Sequence, residues 1–147
     1  MGKKISTNIK VVLDTNVLIS AFLWQKDAKE IFNLAKENKI QICVTKEILD
    51  EFYRVLHYPK FSSRLKLIGE SPEEIINEFL EIVKLFPSKR FKTVIIKEDP
   101  SDDKFLSAAL SSGALFLISG DKHLLCLREF KGISFISPGE FLKEYLR

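Results

Sequence analysis

The 147-residue sequence has two cysteines, two histidines and no long apolar run. Each shortage excludes a class. Cys43 and Cys126 stand in neither a CxxC nor a metal-ligand spacing, so a disulfide-rich scaffold is excluded. Both thiols sit among apolar neighbours and are expected to be buried and free, as in a reducing cytoplasm. The longest apolar run is only a few residues, so no segment reads as a membrane span. The basic start, Lys3-Lys4, is not followed by the apolar stretch of a secretory signal. With only His57 and His123, a serine or cysteine hydrolase lacks a convincing triad. Surface or packing roles are expected for both histidines, a phosphate contact by His123 being the alternative. GxxxxGK[ST] is missing, which excludes a P-loop, and no GxGxxG follows the first strand to support dinucleotide binding.

The excess of charge of one sign is also small. Twenty-three basic against twenty acidic residues leave +3, which permits a nucleic-acid partner without arguing for one. The 46% hydrophobic and 29% charged residues form an ordinary globular mix, which excludes a disordered tail or a collagen-like rod. At about 150 residues per domain, this length predicts one domain over 1–147, large enough to bury its core without staples.

Strands and helices alternate along the chain. Val11-Val12-Leu13 reads as a short strand ending at Asp14. Helices are expected over 17–24 and 27–38, and a strand over 40–44. A third helix follows Thr45 as N-cap, with Ile48, Leu49, Phe52, Val55 and Leu56 as its stripe and Tyr58-Pro59 as its end. Ser71-Pro72-Glu73-Glu74 is a capping box with proline at the first helical position. The buried face of that helix is expected at Ile75, Ile76, Phe79, Ile82, Val83 and Phe86, with Pro87 closing it. A strand over 93–96, a helix over 102–112 stopped by Gly113, and a strand over 115–118 come next. A short helix over 122–127 and a strand over 133–136 follow. Ser137-Pro138-Gly139-Glu140 repeats the capping-box arrangement and opens the last helix. This order predicts a three-layer α/β/α domain with a central, mainly parallel sheet, and a ligand site beyond the carboxyl ends of the strands.

Acids stand at those ends. Asp14 follows the first strand, Asp102 and Asp103 follow the third, and Asp121 follows the fourth in Ser119-Gly120-Asp121. In the third helix, turning 100° per residue from Ile48 centres the apolar stripe near about 40°. Asp50 then lies about 160° from the stripe, Glu47 about 140° and Glu51 about 100°, so Glu51 is best placed to face the rim. Carboxylates brought together repel one another, and a hard divalent cation relieves that repulsion. Each acid also has a plain structural reading, as a helix cap, a dipole partner or a solvated side chain.

These pieces resemble the PIN-domain family. The resemblance rests on Val11 to Ser20, on Glu47 to Leu56, on Asp99-Pro100-Ser101-Asp102-Asp103-Lys104-Phe105-Leu106 and on Ser119-Gly120-Asp121-Lys122-His123-Leu124-Leu125. It spans about residues 9–146 and is nearest to VapC-like toxin ribonucleases of toxin–antitoxin systems. It implies a metal-dependent endoribonuclease leaving 3′-hydroxyl and 5′-phosphate ends. Asp14, Glu51, Asp102 and Asp121 fall on the family's acids and would hold Mg²⁺ or Mn²⁺. Asp103 stands where many relatives carry asparagine, which leaves its part in metal binding open. Asn16 and Ser119, the latter in place of a threonine, would orient neighbouring groups. The resemblance also implies that the first and fourth strands lie side by side, and that the protein is a homodimer with an antitoxin partner; the cytoplasmic setting is expected from the free thiols.

Two stretches lack acids, 52–69 and 82–97. In the first, Arg54, His57, Lys60, Arg64 and Lys66 interleave with Phe52, Tyr53, Tyr58 and Phe61, a pattern suited to phosphates and unpaired bases. Arg54, Lys60, Arg64 and Lys66 are therefore the candidate RNA contacts, with an ordinary solvated face as the plain alternative. Two rival functions stay open. One is a PIN-like RNA-binding or assembly module without catalysis. The other is a phosphatase similar to the haloacid-dehalogenase group, weakened because Asn16 stands where that group needs a second aspartate.

Overall fold

Ile9–Leu13 forms the central strand, β1, and Val11, Val12 and Leu13 are all buried. Successive residues of a strand face opposite sides, so helices must cover both faces of the sheet here. The computed structural model describes residues 9–24, 26–88 and 103–145. Within these, β1 is followed by α1 (Thr15–Leu23), α2 (Asp27–Lys36), β2 (Ile40–Val44) and α3 (Lys46–Leu56). A 3₁₀ turn (Pro59–Phe61), α4 (Ser62–Ile68), α5 (Pro72–Leu80) and β3 (Lys84–Leu85) come next. The remainder is α6 (Asp103–Ser112), β4 (Phe116–Ile118), α7 (Lys122–Leu125), β5 (Glu129–Phe130), β6 (Ile133–Ile136) and α8 (Pro138–Tyr145). No helix among the described residues is long and apolar enough to cross a membrane.

The sheet runs β3-β2-β1-β4-β6-β5, parallel throughout except for the β5–β6 hairpin. It is the expected α/β architecture with a mainly parallel sheet. β1 lies between β2 and β4, with Val11 opposite Ile42 and Leu13 opposite Ile118. The first and fourth motifs therefore leave the sheet from neighbouring strand ends. Four rings, Phe22, Phe32, Phe52 and Phe79, tie α1, α2, α3 and α5 together, with centroids 4.6–6.5 Å apart in the contacting pairs. This cluster fixes the height of α3 over the strand ends and, with it, the position of Glu51.

Several expectations need correction. The helix opened by Ser71 ends at Leu80, not at Phe86. Lys84 and Leu85 instead pair with Cys43 and Val44, and the Phe86 N–H donates to the Val44 carbonyl at 2.8 Å. Ile82, Val83 and Phe86 are half-buried beside this edge strand. Helix α4 and strand β5 were not expected. Cys43 is buried as predicted, but Cys126 is exposed, because it caps the outer end of the one-turn helix α7. Thr45 has the extended backbone of an N-cap but makes no side-chain cap bond. The expected strand over 93–96 lies outside the described residues. Ser71 and Glu74 form the full reciprocal capping box. At Ser137 only half of it forms: the Glu140 N–H donates to Ser137 Oγ, and that hydroxyl turns to the Glu140 carboxylate. Gly113 ends α6 at φ 78°, a left-handed conformation open to glycine at little steric cost.

Candidate functional site

Asp14 is buried at 5% exposure, at the point where β1 becomes α1. Its two oxygens are divided. Oδ1 accepts from the Val17 N–H at 2.9 Å and so caps α1, while Oδ2 accepts from the hydroxyl of Ser119. The capping reading and the site reading of Asp14 are thus both true of one side chain. Ser119 is fully buried, and its Oγ also accepts from the Asp121 N–H at 2.9 Å. One hydroxyl therefore links the two acids across β1 and β4. Asp121 caps α7 through the His123 N–H at 2.8 Å and is half-buried. His123 itself is exposed.

Glu51 projects from the middle of α3 and is half-buried, whereas Glu47 and Asp50 are exposed, as the helical geometry predicts. Thr15 Oγ1 donates to its Oε2, and Lys104 Nζ lies 2.6 Å from its Oε1. Arg54 is a more distant partner at 3.8 Å. Asp14, Thr15, Asn16, Glu51 and Asp121 all line one pocket of about 170 Å³, closed by Val55, Tyr58, Lys60, Phe61 and Phe105. Three acids from three parts of the sequence thus line one pocket at the carboxyl ends of the strands. Asp103, at the first position of α6, is half-buried, and Asp102 lies outside the described residues.

The acids feel one another unequally. Burial pushes the Asp14 carboxyl up to about 6 from an ordinary 3.8, the bonds from Ser119 and Val17 oppose this, and repulsion from Asp121 and Glu51 adds to it. The Glu51 carboxyl is held below the usual range: burial raises it, but Lys104 and Thr15 together outweigh burial. The donors present are carboxylate oxygens, the set that suits a hard divalent cation. Among the described residues, no three acidic, histidine or cysteine side chains alone gather around one point. The pocket fits such an ion through the buried Asp14 and its neighbour Asp121, whose mutual repulsion a cation removes.

The basic stretch is split by its surroundings. Lys60 lines the pocket. Tyr53, Tyr58 and Trp24 are exposed, and Trp24 meets Phe61 edge-on at 5.9 Å. The Arg64 guanidinium lies over Trp24, with its Nε donating to the Leu23 carbonyl at 2.6 Å. Lys66 is exposed in the last turn of α4. Phe52 is a core ring, not a stacking surface. His57 is a surface residue, as expected, bonded to the Tyr53 carbonyl through Nδ1 and 3.4 Å from Glu73 through Nε2. Thr15, Lys104 and Phe105 acquire their places here without a role having been assigned to them from the sequence. Their signal was adjacency to the acids for Thr15 and Lys104.

The PIN domain profile matches residues 10–123. An uncharacterised protein of Methanocaldococcus jannaschii is 33% identical over 162 aligned positions, covering 99% of this chain and 97% of the relative. The chain belongs to the PIN domain family, whose members are generally nucleases and typically use divalent metals. Among solved structures, the fold is similar to PAE2754 from Pyrobaculum aerophilum, with a TM-score of 0.63 at 17% identity over 95% of this chain and 98% of that one. It is also similar to VapBC2 from Rickettsia felis bound to a DNA fragment from their promoter. There the TM-score is 0.58 at 13% identity over 88% of this chain and 98% of that one.

Proposed function

We propose that this chain is a metal-dependent endoribonuclease, acting as the toxin of a type II toxin–antitoxin pair. The observation that carries the reading is the meeting of Asp14, Glu51 and Asp121 in one pocket, with Asp14 buried and pushed up to about 6. A fold has little structural reason to bury an acid beside two others, and perturbed acids cluster at functional sites. Asp14 and Asp121 would hold Mg²⁺ or Mn²⁺, with Glu51, Asp102 and Asp103 as further candidates. When bound, such an ion supplies activation of a water molecule and neutralisation of charge on the phosphodiester.

The chain's own groups do the positioning. Ser119 ties the Asp14 carboxyl to the backbone N–H of Asp121, and Thr15 fixes the face that Glu51 presents. Asn16 is exposed at the mouth, within reach of an incoming strand. Lys60 adds positive charge at the pocket wall, while exposed Tyr58 and Trp24 offer faces for unpaired bases. Arg54, Arg64 and Lys66 extend the basic track for an RNA backbone. The antitoxin and a homodimeric assembly enter the reading through the family resemblance and the likeness to VapBC2. A single domain and a cytoplasmic setting belong to the same reading.

The test incubates the full chain with labelled single-stranded RNA in Mg²⁺, in Mn²⁺ and in EDTA. Asp14→Asn and Asp121→Asn run alongside, after circular dichroism shows that they fold. Cleavage that needs metal and disappears in both variants is expected. RNA binding without cleavage in any metal would favour the non-catalytic module. Turnover of a small phosphate ester without RNA cleavage would favour the phosphatase.

A further inference from the structure

Lys104 reaches from the first turn of α6 to a carboxylate on α3, and the pair differs from the other ion pairs of the described chain. Its side chains are 22% and 18% exposed. The remaining pairs each keep at least one partner 57% exposed or more. The ammonium also lies 5.3 Å from the centroid of the Phe105 ring, a residue that lines the pocket. A half-buried ion pair persists where further hydrogen bonds complete it, and here Thr15 supplies that bond to the second Glu51 oxygen. Both oxygens of Glu51 are therefore engaged by the protein itself.

Asp14 and Asp121 are treated differently. Their hydrogen bonds come from neutral donors: the Ser119 hydroxyl and the backbone N–H groups of Val17 and His123. The pocket is thus lopsided, with a resident cation on its Glu51 side and, among the described residues, none bonded to Asp14 or Asp121. Two-metal nucleases hold two divalent ions about 3.5–4 Å apart. A second ion at Glu51 would have to displace an ammonium held at 2.6 Å.

We infer that Lys104 takes the place of a second divalent cation, so that this chain works with one metal ion, held on the Asp14–Asp121 side. The inference rests on the nuclease reading above and adds to it the number of ions and the partner of Glu51. Lys104 acts through Glu51 and is a positioning residue.

The test counts Mn²⁺ bound per chain, by electron paramagnetic resonance of free Mn²⁺, without RNA. Wild type, Lys104→Arg, Lys104→Ala and Lys104→Gln are compared, each checked for fold by circular dichroism. One Mn²⁺ is expected in wild type and in Lys104→Arg, where the positive charge remains. Two are expected in Lys104→Ala, and in Lys104→Gln should the alanine variant fail to fold. RNA cleavage at saturating Mn²⁺ is expected to fall at least about tenfold in the neutral variants and to recover in Lys104→Arg. Two ions in wild type, or one in both neutral variants, would overturn the inference. Metal-dependent RNA cleavage by a wild type that binds two ions would sink this inference alone. No Mn²⁺ binding and no cleavage by wild type would sink the nuclease reading with it.

Discussion

Replacing Asp14 with asparagine should stabilise the metal-free protein at neutral pH. The carboxyl is buried, and its pKa is about 6 in the fold against an ordinary 3.8. Because the folded value is the higher one, the folded chain binds the proton more tightly than the unfolded chain. The favourable contribution is complete below pH 3.8 and is lost as pH rises through about 6. The interval from 3.8 to 6, at 1.36 kcal/mol per pH unit, gives the ionised group a cost of about 3 kcal/mol by pH 7.5. At pH 4.5 most of the groups are protonated in the fold and the cost falls to about 1 kcal/mol. Asparagine is neutral and nearly isosteric. Its Oδ1 can keep the Val17 N–H, and its amide can donate to Ser119 Oγ, at the expense of turning that hydroxyl. Urea unfolding in EDTA should therefore find Asp14→Asn more stable than wild type by about 1–3 kcal/mol at pH 7.5. The difference should shrink by about 2 kcal/mol at pH 4.5. A variant less stable than wild type at pH 7.5, or a difference that does not change with pH, would refute the argument that Asp14 is held as a penalised charge.

Two further outcomes follow from the same geometry. Ser119→Ala removes the donor of a buried bond to Asp14 and the acceptor of a half-buried bond from the Asp121 N–H, and should cost about 1–3 kcal/mol in urea unfolding. RNA cleavage should fall with it, and Ser119→Thr, which keeps the hydroxyl, should restore both. In an Asp121→Asn background that does not cut, Lys60→Ala should lower the slope of log affinity for single-stranded RNA against log salt by about 0.7, the loss of one phosphate contact. An unchanged slope in that titration would remove Lys60 from the RNA track.

Much of this was readable where local chemistry decides structure. Val11 to Leu13, Ile40 to Val44 and the Ser71 capping box need only their own neighbours to form, and each appeared as expected. Glu51 was separated from Glu47 and Asp50 by helix geometry alone. What escaped was decided elsewhere. Ile82, Val83 and Phe86 continue the spacing of α5, yet the open edge of β2 draws the chain into pairing at Lys84 and Leu85. Helix α4 is only seven residues long and turns Leu65 and Ile68 inward while Leu67 is 75% exposed, so its stripe is too short for a periodicity argument to settle. Cys126 stands among leucines in sequence and still points outward, because a one-turn helix cannot turn every residue inward. The pairing of Lys104 with Glu51 spans 53 positions and depends on how α6 docks on α3. No local pattern carries that.

The distribution of charge within the pocket follows from the order of the strands. β1 and β4 are neighbours, so the residues that leave their ends, Asp14 and Ser119-Gly120-Asp121, come together through the backbone register, whatever their side chains prefer. Apolar side chains at those ends would serve stability better, since every neighbour from Val11 to Leu13 and at Leu117 and Ile118 is buried and apolar. The chain instead commits two polar groups there, Asp14 and Ser119, both almost without solvent. Glu51 and Lys104 show the other solution available to the same fold, an acid neutralised by a cation of the protein's own. That Asp14, among the described residues, is left without such a partner in its hydrogen bonds, at a cost of about 3 kcal/mol, is what would be expected of a side chain whose positive partner arrives from solution.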